Sequence, residues 1–296
     1  PRNFPAIDAI EHIHRKDGMW EDAIGAMEKR AFAFGDPDKK VEQLLTIAGT
    51  WAEQVDNRDG GTSAYERILE IDPMHQVAFE NLDHLHRSAG RWEELVEQYV
   101  TRVETTEDLE ESIDLLRRVA DVYENKLEDG DQAFDALTVA WSLDYTDKKT
   151  AEQLEKTTRH TGKWNELLTM ANAALQEEQE QDVKVALCLQ CARWYGQELG
   201  HPEYAIPYFE QVHAMDPSSV EAMVSMADLY ETTQQWDAMA QTLGQIVTVS
   251  KDPNVQAETY VRMGKLSGTH LGIPEQSKGY YQKALDIAPR NLGAID

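Results

Sequence analysis

Cysteine is almost missing from this chain, with only Cys188 and Cys191 in 296 residues. Two thiols exclude a disulfide framework, which needs several pairs to hold a small fold together. No apolar run reaches the roughly 18 residues of a membrane-spanning helix. Bases are scarce beside acids, 28 against 54, for a formal charge of -26. Nucleic acid demands a basic footprint for its phosphates, so that class of partner is excluded. The acidic excess reads first as a solvated face. No segment alternates polar and apolar residues with a period of two, which leaves no strand. A phosphate-binding glycine loop is absent, as is any Gly-Lys-Ser/Thr triplet. No signal-peptide pattern is visible, so the cytoplasm is the expected compartment. The chain starts at Pro1 and stops partway into a repeat, and so reads as a segment of a longer protein.

What the chain does have is a period. Trp20, Trp92, Trp164 and Trp236 follow one another at steps of 72 residues without a gap. Gly18, Gly90, Gly162 and Gln234 stand two before them, and Pro1, Pro73, Tyr145, Pro217 and Pro289 run in phase. Residues 289–296 match residues 1–8 at six of eight positions. The chain therefore reads as four units, 1–72, 73–144, 145–216 and 217–288, with 289–296 opening a further repeat. A fixed step of this length is the mark of a stacked repeat array, in which each unit packs on its neighbours.

Each unit holds four helix-sized segments. The first carries apolar residues at helical spacing: Ala6, Ile10 and Ile13, then Ala78, Leu82 and Leu85, then Ala222, Met226 and Leu229. The third unit keeps Leu154 but has Thr157 in the last place. The glycine column follows, where a left-handed residue would close the helix. The second helix opens at the tryptophan with acids in its first turn, as in Glu93 and Glu94, which favour a helix N-terminus. Its expected buried stripe is Trp92, Val96, Tyr99 and Val103. The third repeats Ile47, Ala48, Trp51 and Val55 as Val119, Ala120, Tyr123 and Leu127, and as Cys191, Ala192, Tyr195 and Leu199. The fourth shows Tyr65, Ile68 and Leu69, and proline stops it in most units.

These columns resemble the tetratricopeptide repeat, a helix-turn-helix of about 34 residues with small and aromatic residues at set places and a closing proline. Ala133-Phe134-Asp135-Ala136-Leu137 and Ala205-Ile206-Pro207-Tyr208-Phe209 are similar to its second helix. The resemblance covers the whole chain and implies eight repeats, two per unit, with about three extra residues in the connector and one in the second inter-helix turn. It also resembles long bacterial arrays of this kind. The implied fold is all-α, a right-handed superhelical α-solenoid. Glu11, Asp83 and Glu155 depart from the pattern, standing where the family prefers glycine.

No catalytic, metal or cofactor chemistry emerges, and neither an enzyme nor a cofactor is expected. His12 with His14, and His84 with His86, are two apart on a helix, so each pair points in different directions and cannot chelate one ion. Cys188-Leu189-Gln190-Cys191 lies within a helix at two core columns, where thiols act as small hydrophobes. Counting back from Gly60 puts Val55 at the first ligand position of an apparent calcium loop, which rules that loop out.

What remains is a surface. The resemblance implies that the first helix of each repeat lines a concave groove where partners bind. By column that groove receives His12, Arg15, Lys16, His84, Arg87, Lys149, Lys156 and Arg159, with Arg117, Arg193 and Lys265 from repeats four, six and eight. Arg15, Arg87 and Arg159 form one column, ended by Glu231. Basic groups in a groove suit an acidic peptide or an acidic patch on a partner. The same bases also have neighbouring acids to pair with, such as Glu80, Glu152, Asp114 and Asp121. The expected function is a protein-interaction scaffold that binds a protein or peptide and inserts in no membrane. Alternatives are an array that stacks on itself, or a targeting arm for a catalytic domain elsewhere in a longer chain.

Overall fold

The computed structural model describes residues 3–289, so the copy of residues 1–8 at 289–296 lies almost wholly outside the described residues. Sixteen α-helices and no strand occur among them. In the first unit they are α1 (Phe4–Lys16), α2 (Trp20–Ala33), α3 (Pro37–Thr50) and α4 (Arg58–Ile71). The second holds α5 (Gln76–Ala89), α6 (Trp92–Thr105), α7 (Leu109–Val122) and α8 (Gly130–Leu143). The third holds α9 (Lys148–Thr161), α10 (Trp164–Glu177), α11 (Gln181–Arg193) and α12 (Pro202–Met215). The fourth holds α13 (Val220–Thr232), α14 (Trp236–Val249), α15 (Pro253–Thr269) and α16 (Pro274–Ile287). These helices gather into two compact bodies. One runs to Asp144 and adds Glu152–Thr161; the other holds Tyr145–Ala151 and continues from Gly162.

The 72-residue step is written into the backbone hydrogen bonds. Each first helix is capped by the same column, Asn3, His75, Asp147 and Ser219, whose side chains accept from the amides of Ala6, Ala78, Thr150 and Ala222. Three of the four third helices are capped by Asp36, Asp108 and Asp252, which accept from the amides of Asp38, Glu110 and Asn254, whereas Glu180 before α11 makes no such bond. In the first inter-helix turn, Met19, Arg91 and Gln235 donate to the carbonyls of His14, His86 and Tyr230. That six-to-one bond closes a helix through a left-handed residue. Gly18, Gly90 and Gly162 hold that place with φ of 72°, 69° and 74°. Gln234 holds it too, at φ 58°, where a side chain costs about 1–2 kcal/mol. Gln234→Gly is therefore expected to stabilise the body that holds it by roughly 1 kcal/mol, read as a higher midpoint in urea. An unchanged midpoint would mean that the turn carries no strain.

The second inter-helix turn repeats as well. Asn57, Asp129, His201 and Ile273 donate to the carbonyls of Trp51, Tyr123, Tyr195 and Ser267, four bonds at one step. The expected extra residue is accommodated here, because the third helices of the first three units end in π turns, Trp51–Val55, Tyr123–Leu127 and Trp194–Glu198. Asp56, Glu128, Gly200 and Gly272 then take positive φ in a second column.

Packing follows chain order within each body. In the first, Ile24 and Met27 of α2, Leu44 and Ile47 of α3, Ile68 of α4 and Ala78 of α5 share one core cluster. In the second, Cys188 of α11, Phe209 and Val212 of α12, Ala222 and Met226 of α13 and Leu243 of α14 share another. Both cysteines are buried, and burial pushes their thiols up to about 11 for Cys188 and about 12 for Cys191. They fill space and have little thiolate to react with.

Two expectations need correction. Trp20, Trp92, Trp164 and Trp236 are half-buried, not core residues, and full burial falls three places on, at Ala23, Leu95, Leu167 and Met239. Each tryptophan is the first residue of its helix, and a helical side chain leans back toward the N-terminus. The ring therefore covers the turn. Trp92 lies 5.2 Å from the Lys126 ammonium, and Trp236 stacks on His270, the corresponding pair two units along, at 3.8 Å. In α1, Ala6, Ile10 and Ile13 are exposed while Ile7 and Glu11 are buried. Among the described residues no helix precedes α1 to cover the face that Ala78 and Leu82 bury in α5.

Candidate functional site

The first helix of each hairpin buries the columns that touch its neighbours and leaves one polar face uncovered. On α1 that face shows Asp8, His12, Arg15 and Lys16; on α5 it shows Glu80, His84 and Arg87. Glu152, Lys156, Arg159 and His160 of α9 belong to the same body and are exposed as well. Arg117 on α7 is half-buried. Lys149, Arg193 and Lys265 lie in the other body, with Lys149 and Lys265 exposed and Arg193 half-buried. The expected residues thus fall into two groups, eight in the first body and three in the second.

The arginine column is not a row of free charges. Arg15 Nε meets Glu11 at 2.9 Å, Arg87 Nε meets Asp83 at 2.9 Å, and Arg159 Nη2 meets Glu155 at 3.0 Å. Each partner stands four residues earlier, one turn away on the same helix face. These acids are the three departures from the small-residue column, and in the fourth unit the column returns to a small residue, Ala227, fully buried. Carboxylates between two packed helices need hydrogen-bond partners, and the hairpin supplies them from its second helix. Arg30 of α2 also pairs with Glu11, and the Tyr99 hydroxyl donates to Asp83. Arg87 Nη2 donates to the Tyr99 oxygen at 2.7 Å, completing a triangle. Burial and the adjoining Asp83 carboxylate push the Tyr99 hydroxyl up to about 12, so it stays protonated. Arg15 turns the same way, its Nη2 lying 3.9 Å from Met27 Sδ, in the column of Tyr99.

The other cations divide. Lys156 pairs with Glu124 at 3.1 Å, Arg117 with Asp114 at 3.3 Å, and Lys265 with Glu231 at 3.9 Å. Glu231, which ends the arginine column, also holds Arg262 at 3.2 Å. His12, Lys16 and His84 have no ion-pair partner among the described residues. Sequence reasoning passed over Arg30, Tyr99 and Arg262, which organise these clusters. The signal was present in the columns, since Arg30 and Tyr99 sit on second-helix positions facing Glu11 and Asp83.

No group of histidine, cysteine or carboxylate side chains among the described residues is arranged to hold a metal ion. No described helix is long and apolar enough to cross a membrane. Residues 78–113, spanning α5, α6 and the start of α7, match the sequence model of the tetratricopeptide repeat. Among curated proteins none matches this chain. Solved structures with a similar fold include YrrB, described as a TPR protein with an unusual peptide-binding site. It is 15% identical, with 79% of this chain and 97% of that one covered and a TM-score of 0.35. The C-terminal part of a TPR repeat-containing protein from Cytophaga hutchinsonii is 10% identical over 86% and 98% of the two chains, with a TM-score of 0.46. A tetratricopeptide repeat protein from Parabacteroides merdae is 15% identical over 86% and 96%, with a TM-score of 0.33. Likeness at this level is one of helical architecture alone. Residues 78–113 thus carry a tetratricopeptide repeat match, and the same helix-turn-helix recurs through the described residues.

Proposed function

We propose that this chain is a protein-interaction scaffold that binds a partner protein or peptide along the exposed faces of its first helices, with its eight repeats forming one array. One observation carries the reading. At successive 72-residue steps, α1, α5 and α9 leave exposed a polar stripe, His12, His84 and Lys156 beside Arg15, Arg87 and Arg159. A helix that buries one face and leaves an ordered row of donors on the other has a surface free for a second chain. The partner's acidic character enters in a narrower form than charge counting suggests. The column arginines are already neutralised, so an acidic group on the partner would be drawn first to His12, Lys16 and His84.

The experiment places a photo-cross-linking residue at His84, and separately at the exposed Lys39 in the first turn of α3, in cells of the source organism. Cross-links to a defined partner from His84 and not from Lys39, lost when Lys16 and His12 are changed to glutamate, are the expected result. Equal cross-linking from both positions would overturn the assignment of the partner to the first-helix face. Reversing the column arginines is the wrong test, because Arg15→Glu would set a second carboxylate against the buried Glu11 and unfold the hairpin locally.

A further inference from the structure

We propose a second docking surface, independent of the first-helix reading, on the exposed faces of α6 and α8, and its occupant is a basic amphipathic helix of a partner protein. Val100, Leu109, Val139 and Leu143 are exposed at 38%, 51%, 50% and 39%. Single exposed apolar residues are ordinary, whereas a contiguous row is not. Val100 lies three residues before half-buried Val103 on α6, and Val139 four before Leu143 on α8, so each pair forms a stripe along its helix.

The repeat shows that the two stripes face each other across one furrow. One unit earlier, the positions of Val100 and Val139 are Glu28 and Arg67, joined by an ion pair at 2.7 Å. One unit later they are Asn172 and Gln211, which line a single cavity of about 330 Å³ with Leu175, Cys188 and Met215. The counterparts of those three are Val103, Leu116 and Leu143. Leu109 adjoins the row too, since its counterpart Gln181 donates to the Met215 carbonyl at 2.7 Å. The same furrow is thus bridged by charges in the first unit, lined by amides in the third and apolar in the second. Two valines are too short to make the link that arginine and glutamate make, and they are left exposed.

Its rim selects the occupant. Glu97, Glu104, Glu107, Glu110 and Asp135 are exposed around it, and none has a cation partner among the described residues. No lysine or arginine occurs between residues 103 and 116 or between 127 and 147. Arg102, the base on α6 itself, is buried and turned onto Glu111 and the Pro73 carbonyl. A row of exposed aliphatic groups inside an unbroken acidic rim matches a helix with apolar residues on one face and lysine or arginine along its flanks. The same rim repels a second copy of this surface and any anionic membrane.

The test uses labelled synthetic peptides of about 18 residues, five helical turns, and fluorescence anisotropy. One peptide has leucine on one face and lysine on the other, one has the same composition in scrambled order, and one has glutamate for lysine. The amphipathic leucine–lysine peptide should bind the parent protein, with the other two at least about tenfold weaker. The variant Val100→Glu with Val139→Arg installs the ion pair of the first unit at unchanged net charge, and should weaken that binding by about tenfold or more. A second variant, Val100→Asn with Val139→Gln, copies the third unit and should weaken it likewise, so a folding failure of one variant still leaves a reading from the other. No binding to the parent, equal binding of the scrambled or glutamate peptide, or unchanged binding by folded variants would overturn the proposal.

Discussion

A chain lacking residues 73–144 is expected to fold as a shorter, fully helical protein, while one lacking 73–126 is expected to aggregate or melt without cooperativity. The first deletion removes one whole step and joins Asp72 to Tyr145, in the turn position now held by Asp144. Helix α4 would then meet α9 as α8 does. Ile68 and Tyr65 would face buried Leu154 in place of Ala140 and Leu137. In an array where units contact only their neighbours, stability is roughly a sum of unit and interface terms, so the loss is that of one unit. One contact is not matched. A Cβ at Gly130 would come within 2.9 Å of Thr161 Cγ2, and the residue that replaces Gly130 is Arg58. Some loosening of α9 should accompany the deletion. The second deletion joins Asp72 to Leu127, so α4 would run into α8 and two fourth helices would follow each other without the first, second and third between them. Helix α4 would lose α5 and α8 would lose α7, the helices each now packs on. Circular dichroism melts of the two purified proteins decide the matter, and equal behaviour would show that the 72-residue step has no structural meaning.

Trp141→Ala is expected to cost about 3–5 kcal/mol, the range for removing a large aromatic from a packed interior. Trp141 is 1% exposed on α8 and ranks among the largest fully buried side chains. Trp92→Ala should cost about 1–2 kcal/mol, because half of that ring already meets solvent and what it loses is partial burial plus the contact with Lys126. The contrast runs against the sequence pattern, in which Trp92 belongs to the repeating column and Trp141 to none. Urea titrations of both variants, with hydrogen exchange on α5 to α8 to localise the loss, would settle it. A Trp92→Ala cost equal to that of Trp141→Ala would return the tryptophan column to the core.

The clusters around Glu11, Asp83 and Glu155 show how far a column can be read. Both members of each acid–arginine pair were visible at a spacing of four on one helix, so the pairing was legible. Which way the guanidinium turned was not. Arg87 reaches Tyr99 because α6 packs against α5 at that point, and the crossing of two helices is not a property of either one. The exposed apolar residues of α6 and α8 belong to the same class. Val100 and Val139 look like ordinary helix-surface residues until the Glu28–Arg67 pair shows that their positions oppose each other.

The sequence by itself determined the period, the helix starts and stops and the turns, because caps, left-handed residues and proline act within a few neighbours along the chain. It also determined the all-helical class, since the apolar spacing admits no strand. Only the tertiary structure decided which columns are buried, that the tryptophans cover turns, that the arginine column is neutralised and that Glu28 reaches Arg67 between α2 and α4. Burial and charge compensation depend on the residue across the interface, and that residue stands tens of positions away, at a distance no local spacing encodes.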